Sequence, residues 1–250
     1  MIFHQLEEKR KKHGTQLFAL IDPDAKNDRI LPKIIEIINK SNYDGILVGG
    51  SYICDNNFED RLKIIKSKTD LPIIIFPGDS SQISKIADAV LFLSLLSGRS
   101  SKYLIEEQVA SSRKIYNYGL EVIPTGYILL KTDKKSAVEI ISNTDPLDMD
   151  DTQNIISHSL AAEYLGKKLL FLECGSNSNS SININLLKKI REYINIPIMV
   201  GGGIKDKKTA IKLANNGASY LVIGSLIEEN LNHSFLLDMN ESIRRSNGND

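Results

Sequence analysis

Short apolar runs punctuate the chain at 17–21, 46–48, 73–76, 90–93, 120–123, 169–172, 198–200 and 221–223. They are continuous and rich in Ile, Leu and Val rather than alternating with polar residues. That is the pattern of parallel strands buried on both faces. The stretches between them carry the longer period of amphipathic helices. In DRILPKIIEIINKS, residues Leu31, Ile34, Ile35 and Ile38 share one stripe, and Pro32 confines the helix start to its first turn. In DKKTAIKLANNG, Asp206 is the expected N-cap and Gly217 lies just past the C-terminus. NINLLKKIREYINI repeats the pattern before the seventh run.

Strand and helix alternate eight times in 250 residues. This predicts an α/β fold, a (β/α)8 TIM barrel, with an open doubly wound sheet as the alternative. Residues 1–14 form a short N-terminal helix with Ile2, Phe3 and Leu6 on its packing face, and the tail 246–250 frays. GSNSNSSININ falls between a strand and a helix, so it reads as a loop within the domain. No segment divides the chain, and 1–250 reads as one domain.

Composition narrows the function. Lys plus Arg and Asp plus Glu both number 31, so no charge excess argues for nucleic acid. No apolar run approaches the ~18 residues of a bilayer span, and the charged N-terminus lacks a signal-peptide core. Cys54 and Cys174 are far apart, outside any CxxC pair, and read as structural thiols of a cytoplasmic protein. His158, inside a helical stretch, reads as structural, and the basic runs at 9–12 and 205–208 as solvated faces.

In such a barrel the chemistry sits on loops after the strands. Those loops hold Asp22-Pro23-Asp24, Gly49-Gly50-Ser51, Pro77-Gly78-Asp79, Glu173 to Asn177, Gly201-Gly202-Gly203 and Gly224-Ser225. The glycine loops after strands seven and eight fit a phosphate cradle, since backbone N–H groups can approach phosphate oxygens with no Cβ in the way. Tight turns needing positive φ would explain the same glycines. Asp22 with Ser51 suits a hard cation such as Mg²⁺, which keeps several waters and bridges to phosphates. Asp22 could equally cap the next helix. Glu173 could hold substrate hydroxyls or act as a base, or it could pair with a nearby lysine.

Read in order, LIDPD, GILVGGS, IIIFPGD, FLSLLSGR, EVIPTGYIL, SNTDP, AAEYLGKKLLFLECGS, IPIMVGGGIKD and YLVIGS resemble the geranylgeranylglyceryl phosphate synthase family. That family includes the heptaprenylglyceryl phosphate synthases, and LIDPD and SNTDP are similar to its bacterial-type branch. The resemblance covers nearly the whole chain. It implies a (β/α)8 barrel and a Mg²⁺-dependent homo-oligomer. It implies an enzyme that joins a polyprenyl diphosphate to sn-glycerol 1-phosphate through an ether bond. Carried over by residue, Asp22 and Ser51 match the Mg²⁺ positions. Phe171, Leu172, Glu173, Cys174, Gly175, Ser176 and Asn177 match the strand-six segment that holds the glycerol phosphate. Gly202 and Gly203, with Gly224 and Ser225, match its two phosphate loops. This chain has Phe171 where the family usually has tyrosine. Cys174 stands where glycine or alanine is usual, Asn177 at a glycine, and Leu20 where many members have lysine. Gly98-Arg99 after Ser97 departs from the usual strand-four loop.

Two other readings keep the same glycine loops. One is an isomerase or lyase of a phosphorylated sugar, which needs neither Mg²⁺ nor a groove for an apolar tail. The other is a protein that binds a phosphate ester or flavin nucleotide without turnover. The groove expected for a prenyl tail draws on LFLSLL and VIPTGYILL, which core packing explains equally well.

Overall fold

All eight apolar runs become strands, and they pair in chain order into a closed parallel barrel. The strands are β1 (Gln16–Ile21), β2 (Gly45–Val48), β3 (Ile73–Ile75), β4 (Ala89–Leu95), β5 (Glu121–Leu129), β6 (Leu169–Glu173), β7 (Ile198–Gly201) and β8 (Tyr220–Ile223). The helices are α1 (Ile2–His13), α2 (Leu31–Lys40), α3 (Phe58–Lys66), α4 (Glu107–Tyr118), α5 (Ala137–Ser142), α6 (Thr152–Tyr164), α7 (Ile184–Tyr193), α8 (Lys207–Ala214), α9 (Ser225–Glu229) and α10 (His233–Ser246). The structure is a computed structural model that describes residues 1–51, 53, 55–176, 178–229 and 232–246. The sequence expectations at Cys54, at Asn177 and for the tail beyond Ser246 lie outside the described residues.

Strand alternation sorts the core into two layers. Along β6, Leu169 and Phe171 point into the barrel, where they join Phe18, Leu47, Met199 and Tyr220. Leu170 and Leu172 point outward into the layer between strands and helices, with Ile35, Ile38 and Leu187. The caps follow their residue types. Asp206 accepts a hydrogen bond from the Thr209 N–H at 2.8 Å, and Asn183 accepts from the Asn185 N–H at 2.9 Å.

The N-terminal helix closes the floor of the barrel. Leu6 packs in the interior layer with Phe18 and Tyr220. Glu121, at the start of β5, accepts hydrogen bonds from the Ile2 and Phe3 N–H groups, so a distant carboxylate satisfies the first donors of α1. The Tyr220 hydroxyl donates to Glu7.

Two features go beyond the sequence reading. First, β5 runs on through Pro124 to Leu129 and pairs with β6 from Thr125↔Leu169 to Leu129↔Glu173. Pro124 gives up one donor, yet its carbonyl still accepts from the Lys168 N–H at 2.8 Å. Second, the β3–β4 crossover contains no α-helix, only a 3-10 turn at Ser80–Gln82. The neighbouring α4 packs against that turn and against β4. One helix of the outer ring is therefore absent beside β4, and this shapes the site.

Candidate active site

The C-terminal ends of the strands surround a cavity of about 360 Å³, within the usual range for small-molecule sites. Its polar rim carries Asp22, Ser51, Glu173, Ser176, Gly224 and Ser225. Its other half is apolar and runs sideways. Leu91, Leu93 and Leu95 line it from inside the barrel, while Val90 and Phe92 line it from the opposite face of β4. Ile83 of the helix-free crossover and Ile115 of α4 complete that side. The cavity thus passes from the barrel mouth to the space where a crossover helix would otherwise pack. Of the two stretches expected to form a groove, LFLSLL contributes four lining residues and VIPTGYILL contributes Tyr127.

Asp22 directly follows β1, with one oxygen bound and one orphaned. Oδ2 lies 3.3 Å from the Lys26 ammonium. Oδ1 is buried with no hydrogen-bond partner. Burial raises the Asp22 pKa, against the pull of Lys26. A buried carboxylate oxygen lacking a partner is a place for a cation. Ser51 lines the same cavity from the loop after β2. Among the described residues no three His, Cys, Asp or Glu side chains converge on a metal position. Asp22 and Ser51 therefore fit a cation that takes its remaining ligands from water and substrate oxygens, as Mg²⁺ does.

The loops bearing these two residues are tied together by Arg61 of α3, which is buried. All five of its N–H donors are used. Two go to Asp28 at 2.5 and 3.0 Å, two to Asp55 at 2.7 Å each, and one to the Pro23 carbonyl at 2.9 Å. The two carboxylates, through their hydrogen bonds, raise the pKa of the guanidinium. Gln82 braces the loop after β2 from the other side. Its Nε2 donates to the Gly50 carbonyl at 2.7 Å, and its Oε1 accepts from the Gly50 N–H at 3.3 Å.

Glu173 ends β6 and faces the cavity. Burial pushes its pKa up to about 7, opposed by the Gly175 N–H, which donates to Oε1 at 2.6 Å. Among the described residues no lysine pairs with it. A carboxylate tuned near neutrality and open to a cavity can exchange a proton with a ligand.

The glycine triad has a reason the sequence reading left open. A Cβ on Gly201 would lie 2.7 Å from Glu173 Oε2 and 2.8 Å from the Phe171 ring. Gly202 (φ +83°) would clash with the Gly175 backbone at 2.7 Å, and Gly203 (φ +68°) with the Ser180 carbonyl oxygen at 2.1 Å. These glycines are required by packing and turn geometry within the protein, and neither Gly202 nor Gly203 lines the cavity. Gly224 differs. A Cβ there would meet Leu20 at 3.6 Å, an ordinary contact, and Gly224 does line the cavity. It keeps open a space that a side chain would occupy.

The strand-six segment also divides. Glu173, Gly175 and Ser176 reach the cavity, whereas the side chains of Phe171, Leu172 and Cys174 do not. Phe171 is fully buried behind two cavity-lining rings, stacked on Phe76 at 5.1 Å and edge-on to Tyr127 at 5.3 Å between centroids. Leu172 and Cys174 lie in the outer core layer, because alternate residues of a strand face opposite ways. Burial pushes the Cys174 thiol well up, so it stays protonated. His158 is outside the cavity, with its Nδ1 2.8 Å from the Asn154 carbonyl. The Ser225 hydroxyl donates to the Ser176 carbonyl at 3.0 Å, which joins the loops after β6 and β8.

Sequence reasoning missed Lys26, Glu228, Arg61 and Gln82. Lys26, four residues after Asp22, carried a weak signal through its spacing. Arg61 reads as one more charge on an amphipathic helix, and nothing local marks it as buried.

The family description that matches residues 5–242 is the PcrB family. The geranylgeranylglyceryl phosphate synthase of Flavobacterium johnsoniae is 43% identical over 93% of this chain and 96% of its own length. The synthase of Thermoplasma acidophilum, solved in complex with its substrate sn-glycerol 1-phosphate, superposes with a TM-score of 0.89 at 34% identity. That superposition covers 96% of this chain and 98% of the other. The Thermoplasma volcanium enzyme gives 0.88 at 32% identity, over 98% and 97%. The resemblance read from the sequence holds, and this chain belongs to the PcrB family.

Proposed function

We propose that this protein is a prenyltransferase that joins an allylic polyprenyl diphosphate, geranylgeranyl diphosphate first among them, to the C3 hydroxyl of sn-glycerol 1-phosphate. The observation that carries this reading is the two-part cavity. One space joins a polar rim, which carries Ser176, Gly224 and Ser225, to an apolar channel along β4 and α4. A phosphorylated sugar would use the rim and leave the channel empty. The Thermoplasma acidophilum relative holds sn-glycerol 1-phosphate, which supports the choice of acceptor.

In this reading Gly175, Ser176, Gly224 and Ser225 hold the phosphate of the acceptor. That placement turns its C3 hydroxyl toward Glu173. The new bond forms between that oxygen and C1 of the prenyl chain as the bond from C1 to the diphosphate oxygen breaks. The electron pair leaves with the diphosphate, and the hydroxyl proton passes to Glu173. Its pKa of about 7 suits a group that accepts a proton and returns it to solvent. Fixing both reactants in one cavity supplies a large part of the acceleration, roughly 7–11 kcal/mol at best. Asp22 and Ser51 would hold Mg²⁺, which supplies neutralisation of the charge on the leaving diphosphate. Apolar walls keep water from C1, so the glycerol hydroxyl is the nucleophile present.

Release of diphosphate tests this directly. Purified protein with geranylgeranyl diphosphate should release it only when sn-glycerol 1-phosphate is added, and poorly with the sn-3 enantiomer. Metal-independent conversion of a sugar phosphate, with no diphosphate release, would replace the reading with an isomerase or lyase. Tight binding of both substrates with no product would make the protein a binder.

A further inference from the structure

The charge around the cavity mouth is one-sided. Five carboxylates line it, Asp22, Asp79, Glu107, Glu173 and Glu228, against one cationic side chain among the described residues, Lys26. Glu107 is paired with Lys102 at 3.7 Å and Glu173 is close to half protonated near neutrality, so the negative charge a diphosphate meets there is chiefly that of Asp22, Asp79 and Glu228. The Lys26 ammonium lies 3.3 Å from Asp22 Oδ2 and 3.8 Å from Glu228 Oε2, and its side chain remains 56% exposed.

Glu228 does not depend on Lys26 alone. Glu228 also accepts from Asn27 Nδ2 at 2.9 Å, and the same amide nitrogen donates to the Asp22 carbonyl at 2.9 Å. Asp24 caps the short turn that carries Lys26. The backbone under Lys26 is therefore anchored from both sides, while the four-carbon stem is free to swing. Asp22, with a second oxygen that lacks a partner, is the expected seat of a stronger cation.

We infer that Lys26 is a diphosphate-binding residue, parked on Asp22 and Glu228 in the free protein and turned onto the leaving group of the donor when both substrates are bound. A compact, mobile ammonium is suited to tracking phosphate oxygens as a bond breaks. This rests on the prenyl-transfer reading above and extends it to a residue outside the matched family motifs.

The test is calorimetric titration of inorganic pyrophosphate with Mg²⁺ into wild-type protein, Lys26→Met and Lys26→Arg. Titrations with sn-glycerol 1-phosphate, and with Mn²⁺ alone, run beside it. Lys26→Met should weaken pyrophosphate binding by about tenfold or more. Lys26→Arg should stay within about threefold of wild type. Affinity for sn-glycerol 1-phosphate should not change. Mn²⁺ alone should bind Lys26→Met at least as tightly as wild type, because a competing cation has gone. Pyrophosphate binding by Lys26→Met equal to wild type would overturn the inference alone. So would Mn²⁺ binding weakened in step with pyrophosphate, since Lys26 would then only order Asp22. Absence of pyrophosphate binding by the wild type would overturn the prenyl-transfer reading, and this inference with it.

Discussion

Glu173 is a carboxyl held inside a barrel with the Gly175 N–H as its donor, and its pKa of about 7 follows from burial. If it takes the hydroxyl proton in its ionised form, kcat/KM should rise about tenfold per pH unit below 7 and level off above it. Glu173→Gln should lower kcat by at least about a hundredfold and remove that limb of the profile. The same group links stability to pH. Below its ordinary value of 4.5 both folded and unfolded chains hold the proton. As pH rises from 4.5 to 7 the unfolded chain releases its proton first, so stability falls across that window. Glu173→Gln should therefore be more stable than wild type at pH 8, on the order of 3 kcal/mol, and equal to it at pH 4. Denaturant titrations at the two pH values check both statements. The glycines separate in the same way. Gly203→Ala, with φ +68° and a Ser180 oxygen 2.1 Å from the new Cβ, should cost about 2 kcal/mol or more of stability. Gly224→Ala meets only ordinary contact. It should fold as wild type while raising KM for sn-glycerol 1-phosphate.

At the scale of elements, the strands were legible because each is a continuous apolar run, and the helices because their apolar stripes and caps sit at the right spacing. The 76–88 crossover was not legible as an exception. It contains Ile83 and Ile86 in a polar context, and only the space beside β4 shows that no helix fills it. The rim was half legible. Asp22, Ser51, Glu173 and Gly224 sit at strand ends and were found by position. Phe171, Leu172 and Cys174 entered with their motif, and alternation along β6 turns them away. Arg61 escaped because Pro23 and Asp28, which take three of its five hydrogen bonds, lie more than thirty residues away, and only Asp55 is close in sequence. It is the residue on which the Asp22 and Ser51 loops converge. Arg61→Met should lower the melting temperature and weaken Mn²⁺ binding by about tenfold, as second-layer supports of metal sites do. Calorimetric titration with Mn²⁺ would show it, and an unchanged affinity would separate Arg61 from the cation site.

At the scale of the molecule, the missing crossover helix converts a barrel with a polar mouth into one with a side channel. The channel predicts how donor length is read. Ser111 of α4 lines it, with its hydroxyl turned to its own helix carbonyls. Ser111→Phe should therefore shorten the longest donor accepted and leave sn-glycerol 1-phosphate affinity alone, as a series of prenyl diphosphates from C10 upward would reveal. Among the described residues no helix is long and apolar enough to cross a membrane. In the proposed function, rim and channel serve one reaction. The most direct measurement is transfer of labelled sn-glycerol 1-phosphate into organic solvent by purified protein with geranylgeranyl diphosphate, with Mg²⁺ and with chelator. Label should enter the organic phase with Mg²⁺, and essentially none should with chelator. Folded protein that transfers neither enantiomer of glycerol phosphate, to this donor or a longer one, would contradict the proposed function.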